Sequence, residues 1–235
     1  MADGYVGVAP GTTTFKTPDG QTIALEDWID DQLYASAQLN DGETSKLEVF
    51  GVGKSQTIPG GTRAQTGVDS NIPKSGDNGL PKDWAMLIYG YGFLYSRVTR
   101  PGSDGKVTLK DQNGSISTFP ITNTIFQIDR VLTNSFIYNG KQYTQGVTQD
   151  YPAGHGYWVE SDASGFEYAS NGVPSPRDRK ALVLPVYMRE NLGYTWNLQP
   201  EAPLSIAQPA PDAGATLTVV DVKVYLYGLI KRTVV

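Results

Sequence analysis

The chain carries a single histidine, His155 in PAGHGYW, and no cysteine. A Ser–His–Asp relay would need that imidazole beside a nucleophile held on a sharp turn, and no such elbow stands near it. One histidine cannot build a multi-histidine metal centre. The lack of thiols excludes zinc–thiolate sites, disulfides and thiol nucleophiles. Carboxylates come next, because glycoside hydrolysis needs two acids facing each other across a cleft. Glu160, Asp162, Glu167, Asp178, Glu190 and Glu201 are the candidates; they fall mostly in turn contexts and no pair stands out. The oxygen-rich DSNIPKSGDNG at 69–79 has side chains that calcium accepts, without the ligand spacing of a calcium loop. GVGKS at 51–55 is similar to the end of a phosphate-binding loop. The earlier glycine of that pattern falls on Glu48, and Pro59, Gly60 and Gly61 follow where a helix should begin. Asn113-Gly114-Ser115 fits a glycosylation sequon and reads as a turn. Tyr89, Tyr91, Tyr95, Tyr138, Tyr143, Tyr151, Tyr157 and Trp158 have the ring chemistry of a sugar platform, but strand cores and protein interfaces use the same residues. No residue is therefore assigned to catalysis, a cofactor or a metal, and a non-enzymatic protein is expected.

The elements that would position these residues are mostly strands. Glycine (26), proline (15) and tyrosine (14) are abundant, as in folds of many short strands and turns. One segment reads as a helix over about 22–38: Thr22 can cap it, and Leu25, Trp28, Ile29 and Leu33 fall on one face. Trp28 and Leu33 are its expected core anchors. Eight to ten strands follow. KLEVFGV (46–52), WAMLIYGYGFLYSRV (84–98), KALVLPVYM (180–188) and GYTWNLQ (193–199) are among them, and a hairpin is expected over Asn139-Gly140. From Val220, apolar Val222, Val224, Leu226 and Ile230 alternate with Asp221, Lys223, Tyr225 and Tyr227, the period of a half-buried strand. Beyond Tyr227 the alternation blurs, so both faces are expected to be covered, and the strand needs partners from this chain or another. Residues 1–20 read as an extended arm and 200–215 as a long surface loop; a loop of that length in a compact domain is often functional.

Charge narrows the partners. The net charge is −5, and the densest basic runs are RDRK at 177–180 and KR at 231–232. A nucleic-acid binder shows a basic stripe, so direct sequence-specific nucleic-acid binding is not expected. MADGYVGVAPGTTTF lacks the charged start and apolar run of a signal peptide, and no apolar run approaches membrane-spanning length.

Two blocks carry a resemblance. One is KLEVFGVGKSQ followed by Thr62, Thr66, SNI and GLPKDWAMLIYGYGF. The other is LPVYMRENLGYTWNLQPEAPLSI leading to LTVVDVKVYLYGLIKRTVV, with Gly228 and Arg232 in its closing turn. Together, over roughly 46–98 and 180–235, they resemble jelly-roll capsid proteins of tailless icosahedral viruses, particularly phages of the internal-membrane type. The resemblance implies an all-β, single jelly-roll β-sandwich, with the helix and long loops added, in one domain over 21–235. Many such proteins carry two rolls, which would need about sixteen strands, so one roll is expected here. It further implies a structural virion protein, made in the host cytoplasm, that self-assembles into an icosahedral shell. Its partners would be further copies, as a homotrimer, other capsid proteins, and an internal membrane surface. The expected intersubunit contacts are Tyr5, Phe15, Pro203, Leu204, Pro209, Arg232 and Val235, in the arm, the long loop and a terminus buried on assembly. Deleting 1–20 is expected to leave a folded subunit that no longer assembles. The alternative is a carbohydrate-binding β-sandwich module of a viral spike or surface complex.

Overall fold

The computed structural model describes residues 12–17, 20–72, 79–99, 128–151, 158–161, 167–170, 180–206, 208–209, 216–217 and 219–232. Its strands are β1 (Thr14–Lys16), β2 (Thr22–Ala24), β3 (Ile29–Asn40), β4 (Leu47–Glu48), β5 (Ala85–Thr99), β6 (Leu132–Tyr138), β7 (Lys141–Val147), β8 (Trp158–Ser161), β9 (Glu167–Ser170), β10 (Lys180–Arg189), β11 (Tyr194–Pro200), β12 (Gln208–Pro209), β13 (Thr216–Leu217) and β14 (Val219–Lys231). Among the described residues, helix is confined to one turn over 128–131 and a 3-10 turn at Thr148–Asp150.

The protein is all-β. Two four-stranded antiparallel sheets run in the orders β10-β5-β14-β3 and β4-β11-β6-β7. The pairings nest. β6 and β7 form a hairpin at the centre of the chain, with β5 against β10, β4 against β11 and β3 against β14 lying successively outside it. Asn139 and Gly140 both have positive φ, 49° and 72°, as the tight turn of that hairpin requires. The ribbons β1-β2, β8-β9 and β12-β13 are additions to this frame.

The helix expected over 22–38 is not formed. Residues 22–24 are β2, and 29–40 are β3, paired with β14 from Ile29↔Ile230 to Asn40↔Val219 without a break. The helical reading needs Ile29 buried, and it is 50% exposed. A second pattern in the same residues, Leu33, Ala35, Ala37 and Leu39, has period two; all four are buried. The ladder to β14 selects that pattern over the helical one. Trp28 and Leu33 are buried, but Trp28 just precedes β3 and Leu33 lies within it.

One core lies between the sheets, as in a β-sandwich. Trp196 of β11 meets Tyr91 and Phe93 of β5 edge-on at 5.0 and 5.4 Å, and stacks on Phe136 of β6 at 5.8 Å. Its indole N–H donates to Asn134 Oδ1, Asn134 Nδ2 donates to Thr148 Oγ1, and Thr148 Oγ1 donates to the Leu132 carbonyl. This polar chain is satisfied link by link, as a buried one must be. A smaller apolar cluster on the outer face of the first sheet joins Leu25, Trp28 and Leu87 to Phe15 and Ile23 of the β1-β2 ribbon.

Candidate functional site

β14 is one of the two inner strands of its sheet and is covered on both faces. Val220, Val222, Val224, Leu226 and Ile230 enter the core, while Asp221, Lys223 and Tyr225 are buried on the other face. The segment 49–72 supplies part of that cover. Arg63 on this segment donates from Nη2 to Asp221 Oδ2 at 2.5 Å, and from Nη1 and Nη2 to the two oxygens of Asp69 at 2.7 and 2.8 Å. Thr66 adds its backbone N–H and hydroxyl to Asp69 Oδ2, both at 2.8 Å. Burial pushes the Asp69 carboxyl up, but the bonds from Arg63 and Thr66 outweigh it and hold the group well below the ordinary aspartate range. The same cluster holds the Arg63 guanidinium charged: the Asp69 hydrogen bond raises its pKa more than burial lowers it. A charge-paired clasp fastens the segment to the sheet.

Next along β14, Tyr225 stacks on Tyr227 at 5.6 Å with 8° between the rings, and Tyr34 of β3 tilts against Tyr225 at 5.8 Å. The Lys223 ammonium lies over the Tyr34 ring at 5.1 Å. Burial pushes that ammonium down and the charge of Asp69 pushes it back up; the net shift is downward. The Tyr227 ring lies against Gly92 of β5, where a Cβ would come within 2.8 Å of it. These groups interlock as packing.

The two edges of this sheet differ. On β3, the Tyr34 N–H donates to Asn71 Oδ1, Asn71 Nδ2 donates to the Gln32 carbonyl, and the Gln38 N–H donates to the Pro59 carbonyl. Among the described residues, segment 58–72 thus covers that edge from Gln32 onward, while Ile29 at the start of β3 is 50% exposed. Exposed Glu26, Asp27 and Asp30 surround Ile29 there. Tyr89 Oη donates to Asp30 Oδ1, and Arg232 forms an ion pair with Asp31. At the opposite edge, β10 pairs with β5 as Ala181↔Gly90 and then Val186↔Ile88. Four residues, 182–185, therefore stand opposite Tyr89 alone, in a bulge that holds Val183 97% and Leu184 80% exposed.

Among the described residues, those named from the sequence are dispersed. Of the expected intersubunit contacts, Phe15 is half-buried against the outer apolar cluster, Pro203 is exposed, and Leu204 is buried in the core. Pro209 is in β12, and the Arg232 guanidinium lies over Trp84 at 5.4 Å. Tyr5 and Val235 lie outside the described residues, as do His155, Asn113, Asp162 and Asp178. Glu160 and Glu167 are on the paired strands β8 and β9. Glu190 accepts from the Asp83 N–H and Glu201 from the Thr133 hydroxyl. These two acids sit at opposite ends of β11, whose seven residues span roughly 20 Å, whereas hydrolytic pairs stand roughly 5–10 Å apart. In 69–79, Asp69 and Asn71 bond within the protein, and the Ser70 hydroxyl accepts from the Ile72 N–H. GVGKS forms turns, its Gly53 N–H donating to the Gln56 side chain. Of the aromatic platform, Tyr89, Tyr91, Tyr138 and Tyr151 are buried and Tyr143 is 39% exposed.

Sequence reasoning did not find Arg63, because no local pattern marks an arginine that pairs with a residue 158 positions away. It also missed the β10 bulge. Pro185 was the available signal, since proline in a strand is confined to edges and bulges.

Compared with known proteins, the chain matches no protein family, no curated protein and no solved structure.

Proposed function

We propose that this protein is a structural virion subunit, a single jelly-roll that self-assembles into a capsid shell without catalysing a reaction. The supporting observation is the strand order. Counting the strands of the two main sheets from one to eight along the chain, the orders are 1-8-3-6 and 2-7-4-5. A long antiparallel hairpin rolled up on itself produces that order, and an eight-stranded double sheet of two Greek keys is the jelly-roll arrangement. The sequence resemblance noted above supplies the viral part of the reading. The bonding of the described carboxylates and the burial of most of the described tyrosines favour architecture over hydrolysis or sugar binding.

The test is the mass of the purified chain by light scattering across a concentration series, with negative-stain microscopy of the same samples. Trimers, rings or shells are expected. A 25.5 kDa monomer at every concentration would overturn the assembly reading.

A further inference from the structure

We propose that copies of this chain join head to tail through the two opposite edges of the β10-β5-β14-β3 sheet. The β10 bulge of one copy seats against the exposed start of β3 in the next. This inference rests on the assembly reading above and names its interface.

Register carries the geometry. Ile29 pairs with Ile230, Ile230 with Met86, and Met86 with Met188, so these four residues form one row across the sheet. The bulge stands opposite Tyr89, three positions from Met86 along β5, and Gly228 beside it pairs with Asp31. Val183 and Leu184 therefore project from one edge within about two residues, roughly 7 Å, of the level of Ile29 at the other. A copy placed side by side with its neighbour brings the three exposed aliphatic side chains to the same height.

Charge follows the same rows. Arg189 pairs with Ala85, and Ala85 with Lys231, which puts Arg189, exposed while its guanidinium donates to Gln21 and lies over the Tyr187 ring, one row beyond Ile29, at the level of the chain that enters β3. That entering chain is Glu26-Asp27, both exposed. The bulge edge is thus apolar with a cation near the matching height, and the β3 edge is apolar with three exposed acids, Glu26, Asp27 and Asp30. The same complementarity argues against a two-fold contact, since β10 against β10 would oppose its own basic ends, Lys180 and Arg189. Unlike edges that meet repeatedly generate a ring when the rotation closes. Beyond Gln32, segment 58–72 occupies the β3 edge, so the contact is confined to the first residues of that strand.

The absence of native cysteine makes the contact directly readable. The full-length Ile29→Cys/Leu184→Cys double variant, oxidised under assembly conditions, should give a ladder of covalent oligomers on a non-reducing gel. A mixture of the two single variants should stop at cross-linked dimers. Separately, Val183→Asp/Leu184→Asp and Glu26→Lys/Asp27→Lys should each raise the concentration for half-assembly about tenfold or more. Mixed together, each contributes its intact edge, and capped heterodimers are expected. Thermal melts confirm that the exposed substitutions leave the subunit folded, and Val183→Ser/Leu184→Ser serves as a milder second variant. Wild-type assembly without a ladder, or normal assembly by folded variants of both edges, would overturn this interface and leave the assembly reading standing. A wild-type chain that stays monomeric would overturn the assembly reading itself.

Discussion

Asp69 is 2% exposed and Asp221 fully buried, yet both face the Arg63 guanidinium, so this clasp concentrates charge where isolated charge would be costly. Its response to acid has a definite sign. The Asp69 carboxyl is held below its unfolded value by Arg63 and Thr66 against the opposing effect of burial, so the folded state binds fewer protons there than the unfolded chain. The resulting stability is fully present above the ordinary aspartate range and fades as pH falls below about 3.9 toward the lowered value. Asp69→Asn removes one of the two charges that Arg63 faces and is expected to cost about 3 kcal/mol near neutral pH. Melting temperatures of wild type and variant should keep a constant gap from pH 7 to 5 and converge in stronger acid. A gap that widens on acidification would show that another group governs the clasp.

At the scale of elements, β14 determines how closely the first sheet can pack. A Cβ at Gly228 would lie 2.2 Å from the Leu87 carbonyl oxygen, which is backbone of the paired strand β5 and cannot turn aside. At Gly92 the added carbon would meet the Tyr227 ring, the far end of a side chain that can shift. Gly228→Ala should therefore cost about 2–3 kcal/mol and Gly92→Ala less than half of that, compared by urea denaturation. Equal losses would mean that Tyr227 is as rigidly held as the β5 backbone. The β6-β7 turn was legible in sequence because Asn-Gly is the dipeptide that tolerates positive φ at both positions. β3 was not, because its residues satisfy a helical and an alternating pattern at once, and only the presence of β14 separates the two.

For the whole molecule, the nested pairing brings the first and last strands of the main sheets side by side, far apart in sequence and adjacent in space. The β1-β2 ribbon is outside this frame and covers Leu25, Trp28 and Leu87 on the outer face. Deleting residues 1–20 should leave both four-stranded sheets intact while uncovering that cluster. The loss of Phe15 contacts, about 1–2 kcal/mol, corresponds to a melting temperature lowered by roughly 3–6 °C. An unchanged melting temperature would mean that the ribbon contributes no stability of its own. Shell formation by the truncated chain reads the role of the arm in assembly separately from its role in folding.

Composition and pattern alone determined that this is an all-β protein. They also determined that β14 has one apolar and one polar face, that the chain turns at Asn139-Gly140, and that no thiol or multi-histidine chemistry is available. Those are local properties, carried by side-chain period, turn stereochemistry and residue type. The tertiary structure decided that residues 29–40 are a strand, that Arg63 lies between two aspartates, and that β10 bulges while segment 58–72 seals most of the opposite edge. Each depends on pairing between segments distant in sequence, and the energy that selects it is shared between both partners, so neither segment carries the signal by itself.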